Sequence, residues 1–385
     1  MKVLHVITDL NQGGAEAVLY QLIVATQQEV QHCVVSLHGD GVYGERLRKI
    51  NVDVHVLNMP RGRVKFSGLL RLRRIMLDYD PDVVQTRMYH ADLLGGVAAI
   101  FAGSLPVVWA VHATELGAIA DTWKTRIVRR ICAVLSGILP SAIITDAQKS
   151  ADVHTALGYP IRKTVVIPNG VDLSLFCQDK TERQTVRQEL GVEPGQFLIG
   201  FVARWHPLKD HVNLLQALAV VKTDKYPFRC VLAGSDMKHD NGALVRLIHD
   251  NGLDDYIILL GPRSDVSAIM NAIDLHVLSS CTESLPVAVI EAMSCGTPCV
   301  VTDVGDAARI VGDTGWVVAP RSSAALATAI ESAIEVLEKT GKDARGQLCR
   351  DRIAQNFSLD KMAKEYIRIW KTAITQSSSR SRSTG

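Results

Sequence analysis

Short apolar runs recur along this chain, and each is followed by a longer segment whose apolar residues have helical spacing. Uninterrupted apolar runs are typical of parallel strands buried on both faces, and their alternation with helices predicts βαβ units. Seven strands are predicted in the first half: Lys2–Thr8, His32–Ser36, Asp53–Leu57, Val83–Thr86, Val107–Val111, Ala142–Thr145 and Thr164–Ile167. The helices predicted between them include Ala15–Thr26, Leu69–Leu77, Ala91–Ala102 and Trp123–Leu135. Six strands follow in the second half: Phe197–Ala203, Arg229–Ala233, Tyr256–Leu260, Leu275–Leu278, Pro298–Thr302 and Gly315–Val318.

The strand pattern pauses at the turn-forming run Pro168-Asn169-Gly170-Val171-Asp172, after which the sequence is polar to about Gly195. A chain of 385 residues exceeds the ~250–300 residues at which single cores stop growing. We therefore predict an α/β protein with two doubly wound, Rossmann-like domains that bind ligands in a cleft beyond the carboxyl ends of their strands. The predicted organisation is a first domain at 1–172, a linker at 173–195, a second domain at 196–358, a helix at 359–375 packing back on the first domain, and a disordered tail at 376–385.

Composition narrows the class of protein and its compartment. The net charge of +2 argues against a nucleic acid partner. The eight cysteines are scattered and form no Cys-x-x-Cys, which favours a reducing compartment, and the first strand reaches Asp9 too early for a secretory leader, so a cytoplasmic location is expected. The uncharged stretch from Leu93 to Val111 is interrupted at Gly103 and Pro106, which predicts a buried helix and strand rather than a membrane span.

The most informative motif combines two carboxylates with a helix start. Pro286 can open a helix, so that the backbone N–H groups near Ser284 and Leu285 would face a phosphate-type anion. Glu283 and Glu291 lie eight residues apart on this segment, and carboxylates beside such a site are expected to accept hydrogen bonds from neutral hydroxyls. By spacing alone they fit solvated helix acids equally well.

This Glu-x7-Glu pair, followed by Cys295-Gly296-Thr297-Pro298, resembles the motif of retaining glycosyltransferases of the GT-B fold, in glycosyltransferase family 4. Other blocks resembling the family occur in its order and span nearly the whole chain. They are Gly13-Gly14-Ala15-Glu16, His112, Ile167-Pro168-Asn169-Gly170-Val171-Asp172, the segment from Val202 to Asp210, and the segment from Leu260 to Val266. The family usually has Gly at the positions of Ala203 and Asp210.

The resemblance implies roles for individual residues. Arg204 and Lys209 match the cationic pair that binds the donor diphosphate, where they would stabilise the charge of the leaving group. Glu291 corresponds to the acid that holds the ribose hydroxyls, and Glu283 to the acid that faces hydroxyls of the transferred sugar.

Three further blocks are expected near the donor. Gly13 and Gly14 would permit close approach of the backbone to the phosphates or sugar. His112 matches a histidine near the donor sugar, with a structural hydrogen-bonding role as the alternative. Arg263 lies in the loop expected to surround the base, chiefly through its main chain.

The function implied is that of a retaining, metal-independent hexosyltransferase. It would move a hexose-type sugar from a nucleotide diphosphate sugar, UDP by family habit or else GDP, to a hydroxyl of a glycan or lipid-linked acceptor in cell-surface polysaccharide or glycolipid synthesis. No cofactor is implied besides this co-substrate. Asp80-Pro81-Asp82 resembles the metal-binding Asp-x-Asp of a different glycosyltransferase fold, but its place between a helix and a strand indicates a connector.

The acceptor is expected at the first domain, with Tyr89, His90 and Asp92 as candidate contacts. Two basic segments with interleaved apolar residues predict peripheral binding to an anionic membrane surface, although a helix with a solvated basic face is the alternative. Their cations are Arg61, Arg63, Lys65, Arg71, Arg73 and Arg74 in the first segment and Lys124, Arg126, Arg129 and Arg130 in the second.

Three other functions are compatible with this architecture. A sugar-nucleotide epimerase of the GT-B type would share the cleft but should lack the combined Arg-x4-Lys and Glu-x7-Glu blocks. A dinucleotide oxidoreductase is disfavoured because the first turn, from Leu10 to Ala15, lacks Gly-x-Gly-x-x-Gly. A non-catalytic sugar-nucleotide-binding protein is disfavoured because both carboxylates and both cations are present.

Overall fold

The computed structural model describes residues 1–11, 13–60, 66–111, 123–222 and 227–383, with side chains to 379. The chain divides into two compact units. Unit 1 comprises Met1–Gly170 together with Leu359–Gly385, and unit 2 comprises Val171–Ser358.

Unit 1 is built on a seven-stranded sheet in which every neighbouring pair is parallel. Its strands are β1 (Lys2–Ile7), β2 (Gln31–Ser36), β3 (Asp53–Val56), β4 (Val83–Arg87), β5 (Val107–Val111), β6 (Ala142–Thr145) and β7 (Thr164–Val166). The helices are α1 (Gly14–Thr26), α2 (Gly41–Lys49), α3 (Phe66–Tyr79), α4 (Tyr89–Phe101), α5 (Trp123–Leu135) and α6 (Gln148–Ala156). The strand order is β3-β2-β1-β4-β5-β6-β7, so the chain reverses its direction across the sheet between β1 and β4.

This reversal assigns the helices to opposite faces. Parallel crossovers are right-handed, so α1 and α2, which step toward β3, cover one face. The helices α3, α4 and α5 step the other way and cover the opposite face, where they share a core with the strands.

The last helix, α15 (Leu359–Ser383), returns to unit 1. Its Met362, Tyr366 and Trp370 are buried against strands and α1. The indole N–H of Trp370 donates to Gln85 Oε1 at 2.8 Å, which satisfies a buried polar pair inside this contact. The helix continues well beyond the predicted end at 375 into the polar segment predicted as a disordered tail. Within this extension the hydroxyl of Ser378 donates to the carbonyl of Ile374 at 3.1 Å, one helical turn earlier.

Unit 2 contains a six-stranded sheet that is also parallel throughout. Its strands are β8 (Phe197–Val202), β9 (Phe228–Ala233), β10 (Ile257–Gly261), β11 (Leu275–Leu278), β12 (Cys299–Thr302) and β13 (Trp316–Val318). Its helices are α7 (Lys180–Glu189), α8 (His211–Val221), α9 (Gly242–Asp250), α10 (Val266–Ala272), α11 (Val287–Ser294), α12 (Ala307–Val311), α13 (Ser323–Thr340) and α14 (Lys342–Asn356). The order β10-β9-β8-β11-β12-β13 places the reversal of direction between β8 and β11.

The segment predicted as a linker, 173–195, is an integral part of unit 2. It contains α7, whose Arg183 and Arg187 both pair with Asp274, a buried carboxylate immediately before β11. These cations hold the pKa of Asp274 below its ordinary value although burial opposes ionisation. The polar composition suggested a linker because it gave no indication of this partner about ninety positions away.

All thirteen predicted strands are present, with ends within one residue of the prediction. The uncharged stretch forms most of α4 and all of β5, with Gly103 and Ser104 at positive φ between them. In the part of the chain described, no helix is both long and apolar enough to cross a bilayer.

Candidate active site

The candidate site in unit 2 lies at the carboxyl ends of β8 and β11, where the chain reverses direction across the sheet. Loops that leave neighbouring strands toward opposite faces open a crevice there, which is the usual ligand position in such sheets. The segment 203–210 follows β8 and the segment 279–286 follows β11. These two segments carry most of the site residues predicted for unit 2.

Direct hydrogen bonds hold the two segments together. The backbone N–H of Cys281 donates to the carbonyl of Leu208 at 2.9 Å. The hydroxyl of Ser279 lies 2.9 Å from the carbonyl of Lys209 and 3.1 Å from that of Asp210. Ser279 was not among the predicted site residues, because a serine in a loop of small residues carries no sequence signal for this role.

Lys209 and Glu283 meet across the crevice. The ammonium nitrogen of Lys209 lies 2.5 Å from Glu283 Oε1, and the hydroxyl of Ser280 donates to the same oxygen at 2.7 Å. Only 23% of the Lys209 side chain and 13% of the Glu283 side chain are exposed. An ion pair this sheltered is less screened by water than one at the surface, so it fixes both side chains at the crevice.

The backbone around Lys209 explains why the family prefers glycine at position 210. Asp210 has φ 50° and ψ 56°, in the left-handed region, and its carboxylate accepts from Asn213 N at 3.3 Å to cap α8. Aspartate tolerates this conformation better than most residues with a Cβ. The turn is therefore formed here without glycine.

Arg204 is presented by a loop that neighbouring loops brace. Gly234, at φ 140°, packs so closely that a Cβ there would lie 2.1 Å from the carbonyl oxygen of Ala203. Trp205 N donates to Ser235 O at 2.8 Å. The Arg204 side chain is exposed and makes no hydrogen bond or ion pair with any residue that the structure describes. Its guanidinium is thus held near the crevice with its donors available.

The loop after β12 braces the segment that carries Glu283. Asp306 N donates to Ser284 O at 2.9 Å, and Thr302 Oγ1 donates to Ser280 O at 2.7 Å. Gly305, at φ 54°, lies where a Cβ would approach the Ser284 carbonyl to 2.2 Å. Glycine is needed at this position both for its backbone conformation and for the close approach.

Helix α11 begins directly after Pro286, within one residue of the predicted start, and the Leu285 side chain is buried beneath it. Glu291 lies further along this helix and is half-buried. Burial raises the pKa of the Glu291 carboxyl from 4.5 to about 7, because the loss of water destabilises the charged form.

The side chain of Arg263 is occupied elsewhere. It donates to Glu189 at 2.6 and 3.2 Å and to Asp265 at 2.8 and 2.7 Å, and these carboxylates raise the pKa of the guanidinium. The side chain links the loop after β10 to α7. A contact between Arg263 and the donor is therefore left to its backbone.

In unit 1, Gly13 and Gly14 lie at the start of α1, at the carboxyl end of β1. A Cβ on Gly14 would have no neighbour within 4 Å, and one on Gly13 would meet only the movable end of Glu16. Neither glycine has a positive φ. Packing within the described chain thus gives no reason for glycine at either position.

The candidate His112 lies outside the described residues.

Two of the three candidate acceptor contacts are engaged inside unit 1. Asp92 is fully buried and accepts from Thr86 Oγ1 at 2.5 Å, and burial raises its pKa well above the ordinary value. The hydroxyl of Tyr89 is hydrogen-bonded to His154 Nε2 at 2.8 Å. His90 is half-buried, and burial together with the nearby His38 lowers its pKa. The prediction for Asp92 fails because its carboxyl faces the interior.

No three His, Cys, Asp or Glu side chains in the described ranges are grouped closely enough to hold a metal ion.

Comparison with known proteins identifies the family of both units. A model described as Glycosyltransferase Family 4 matches residues 12–175, and one described as Glycosyl transferases group 1 matches residues 196–335. EpsF of Bacillus subtilis is 26% identical over 313 residues, covering 78% of this chain and 79% of that protein. UDP-Gal:alpha-D-GlcNAc-diphosphoundecaprenol alpha-1,3-galactosyltransferase of Escherichia coli is 25% identical over 310 residues, with the same coverage.

Among solved structures, Anabaena HepE in complex with UDP superposes with a TM-score of 0.84 at 24% identity, over 97% of this chain and 100% of that one. This likeness concerns the fold. Together with the two family models, which between them match most of both units, it shows that the chain belongs to glycosyltransferase family 4 and has the GT-B fold.

Proposed function

We propose that this glycosyltransferase binds a UDP-sugar in unit 2 and transfers its hexose, with retention of configuration, to a hydroxyl of a glycan or lipid-linked saccharide. The observation that carries the proposal is the convergence of Lys209 and Glu283 at the reversal point of the unit 2 sheet, 2.5 Å apart, with the available guanidinium of Arg204 on the same loop as Lys209. The cations suit the diphosphate of a nucleotide sugar. The carboxylate, which can accept hydrogen bonds from hydroxyl groups, suits its sugar.

The cations act on the leaving group. Transfer breaks the bond between the anomeric carbon and an oxygen of the β-phosphate, and the electron pair stays with the nucleoside diphosphate. Arg204 and Lys209 balance this growing negative charge, because cations already positioned where charge develops stabilise the transition state. The N-terminal end of α11, after Pro286, adds a partial positive charge for the same diphosphate.

The carboxylates act on hydroxyl groups. Glu283 accepts a hydrogen bond from the transferred sugar while it remains paired with Lys209, so one contact orients the sugar relative to its leaving group. Glu291 accepts from the ribose hydroxyls. Hydrogen bonds donated by such a ligand replace part of the hydration that the half-buried carboxylate lost on folding.

The donor and acceptor classes are inferred from relatives. The E. coli relative is named for transfer from UDP-Gal to a diphosphoundecaprenol-linked sugar, and HepE has been solved with UDP and with UDP-glucose. Retention is inferred from the family resemblance of Glu283 and Glu291. Independence from a metal is inferred because Arg204, Lys209 and the start of α11 would serve the diphosphate. None of the relatives reported above is an epimerase. The eight cysteines are free, which fits the reducing cytoplasm.

The decisive experiment presents the purified chain with a panel of UDP- and GDP-sugars and measures thermal stabilisation, then assays transfer to lipid-linked saccharides. We expect stabilisation by one UDP-sugar, and NMR of the product should show the donor's anomeric configuration. Glu283→Gln is expected to lower kcat/KM for transfer at least about 100-fold, with Glu331→Gln on α13 as the matched control. Inverted product would overturn the retaining mechanism. Conversion of the donor without an acceptor would instead reveal an epimerase.

A further inference from the structure

The outer surface of α3 in unit 1 exposes large apolar side chains. Phe66, Leu70 and Leu77 are 72%, 50% and 47% exposed, and intervals of four and seven residues place them on one side of the helix. Leu72 and Met76 face inward and are buried. The helix is thus apolar toward the core and again toward the outside, which is unusual for a surface helix of a globular protein.

Helix α5 repeats this arrangement over its full length. Trp123, Ile127, Ile131 and Val134 follow one another at intervals of three or four residues, and all are exposed, with Val134 at 77%. Cys132 marks the buried side of the helix. The exposed apolar stripe therefore runs from the first to nearly the last residue of α5.

The two stripes lie on one face of the unit. Helices α3 and α5 flank α4 on the same side of the sheet, and α4 packs against both. Arg73 of α3 donates from Nε to the carbonyl of Phe101 at the end of α4, at 2.7 Å, and Phe101 is itself exposed. We call the outer stripes of α3 and α5, with the exposed end of α4 between them, the α3–α5 surface.

This surface is strongly cationic. Helix α3 carries three arginines and one aspartate, and α5 carries one lysine and three arginines without any acid. The whole chain has a net charge of only +2, so the remainder is net negative. Positive charge is concentrated where the apolar side chains are exposed.

We propose that the α3–α5 surface is an interfacial docking site for an anionic lipid bilayer. Exposed Trp, Phe and Ile side chains enter the boundary between headgroups and acyl chains, and the flanking Lys and Arg side chains pair with anionic headgroups. A second copy of the chain fits less well, since two copies of this cationic surface would repel each other. Because crossover helices begin where parallel strands end, Phe66 and Trp123 lie at the carboxyl-end edge of the unit 1 sheet, which is the usual ligand position in such folds.

Docking is tested by flotation of the full-length protein with vesicles of phosphatidylcholine alone or with 30 mol% phosphatidylglycerol, at low and high salt. We expect binding to the anionic vesicles that weakens as salt rises. The charge variant Lys124→Gln/Arg130→Gln should bind about 25-fold less, given roughly fivefold per cation lost. The apolar variant Trp123→Ser/Ile127→Ser should bind at least about tenfold less, because two exposed apolar side chains no longer enter the interface.

Matched controls carry equivalent substitutions elsewhere. Val220→Ser/Leu348→Ser removes two equally exposed apolar side chains from unit 2, and Lys364→Gln/Lys371→Gln removes two cations from α15. Both controls should bind vesicles as the unchanged protein does. Binding of a UDP-sugar in solution should persist in all four variants, so failure of docking is distinguishable from failure of the proposed transfer reaction.

The position of Trp123 gives an independent readout. Brominated lipids in anionic vesicles should quench its fluorescence, and Trp123→Phe should remove that quenching. Three outcomes would overturn the proposal: no flotation with anionic vesicles, equal flotation of the α3–α5 variants and their controls, or a concentration-dependent dimer, detected by light scattering, that Trp123→Ser/Ile127→Ser dissociates.

Discussion

The ammonium of Lys209 lies 2.5 Å from a carboxylate oxygen of Glu283, although the two residues are seventy-four positions apart in the chain. The contact joins the loops that leave β8 and β11. In the proposed reaction these residues act on opposite sides of the bond that breaks, Lys209 on the diphosphate and Glu283 on the sugar. Their direct pairing means that the position of each depends on the other.

This coupling is measurable with a double-mutant cycle. Lys209→Met removes a charge that compensates the leaving group, so kcat/KM should fall at least about 100-fold, or roughly 3 kcal/mol. Glu283→Gln should cause a loss of similar size. Because each substitution also disturbs the other residue, the double variant should be far less impaired than the product of the two single effects. Steady-state kinetics would check this, and multiplicative effects would show that the residues act independently.

Arg204 should matter for activity and very little for folding. Its exposed guanidinium has no partner among the described residues, so Arg204→Gln should change the free energy of unfolding by less than about 0.5 kcal/mol. Affinity for the nucleoside diphosphate should nevertheless fall at least tenfold, because one of the two cations proposed to bind it is lost. Calorimetry with UDP and thermal unfolding would measure both quantities.

The matched control for Arg204 is Arg246→Gln, because Arg246 on α9 is also exposed and has no partner in the described chain. It should leave both affinity and stability unchanged. If both substitutions lowered UDP affinity equally, Arg204 would act through the overall charge of the protein and not through a direct contact with the diphosphate.

Gly14 gives a test of close approach by substrate. A Cβ there meets nothing within 4 Å, and alanine suits the first residue of a helix, so Gly14→Ala should not lower the melting temperature. Activity should fall at least tenfold if the backbone of Gly14 touches the donor. Gly242→Ala is a close control, because Gly242 also opens a helix, α9, with nothing within 4 Å of its missing Cβ. Retention of full activity in Gly14→Ala would remove this residue from the site.

The architecture was largely predictable because local patterns determine it. Strands buried on both faces give apolar runs, and for β5, β6 and β11 these runs predicted both ends of the strand at the observed residues. The pattern of apolar residues did not predict features that depend on partners distant in the sequence. The polar segment that contains α7 packs on unit 2 because Arg183 pairs with the buried carboxylate of Asp274, and the sequence around Arg183 does not indicate that partner.

The same limit applies to the candidate site. The motif drew attention to Glu283 and Lys209, but their pairing is a property of the sheet order, which brings β8 beside β11. The supporting contacts of Ser280 and Gly305 have no motif of their own. For Arg263 the sequence predicted a contact with the base chiefly through the main chain, and it did not predict the two carboxylates that pair with the side chain.

Arg263 is accordingly predicted to act on stability. Arg263→Gln leaves Glu189 and Asp265 close together without their shared cation, and should lower the free energy of unfolding by about 1 kcal/mol, as expected for a partly exposed network. The KM for the donor should stay within about twofold of the original value. Thermal unfolding combined with donor kinetics would separate these effects, and a tenfold rise in KM at unchanged stability would restore a binding role for the side chain.

Glu291 should make both stability and nucleotide affinity depend on pH. Its folded pKa of about 7 exceeds the ordinary 4.5, so between these values the folded state binds more protons than the unfolded state. Stability should therefore fall as pH rises from about 4.5 to 7. Glu291→Gln should remove that loss, worth about 1–3 kcal/mol at pH 8 relative to pH 5.

Nucleotide binding should act in the opposite direction, because the ionised carboxylate is the better acceptor for two ribose hydroxyls. Affinity for UDP should rise as pH increases through about 7, and binding at pH 6.5 should release a fraction of a proton. Calorimetry in two buffers of different ionisation enthalpy measures this release directly. Since Glu291→Gln has no proton to lose, the release in that variant should shrink to the share that comes from the terminal phosphate of UDP, whose second pKa is about 6. If it persisted unchanged, the proton would come from another group, and Glu291 would not hold the ribose.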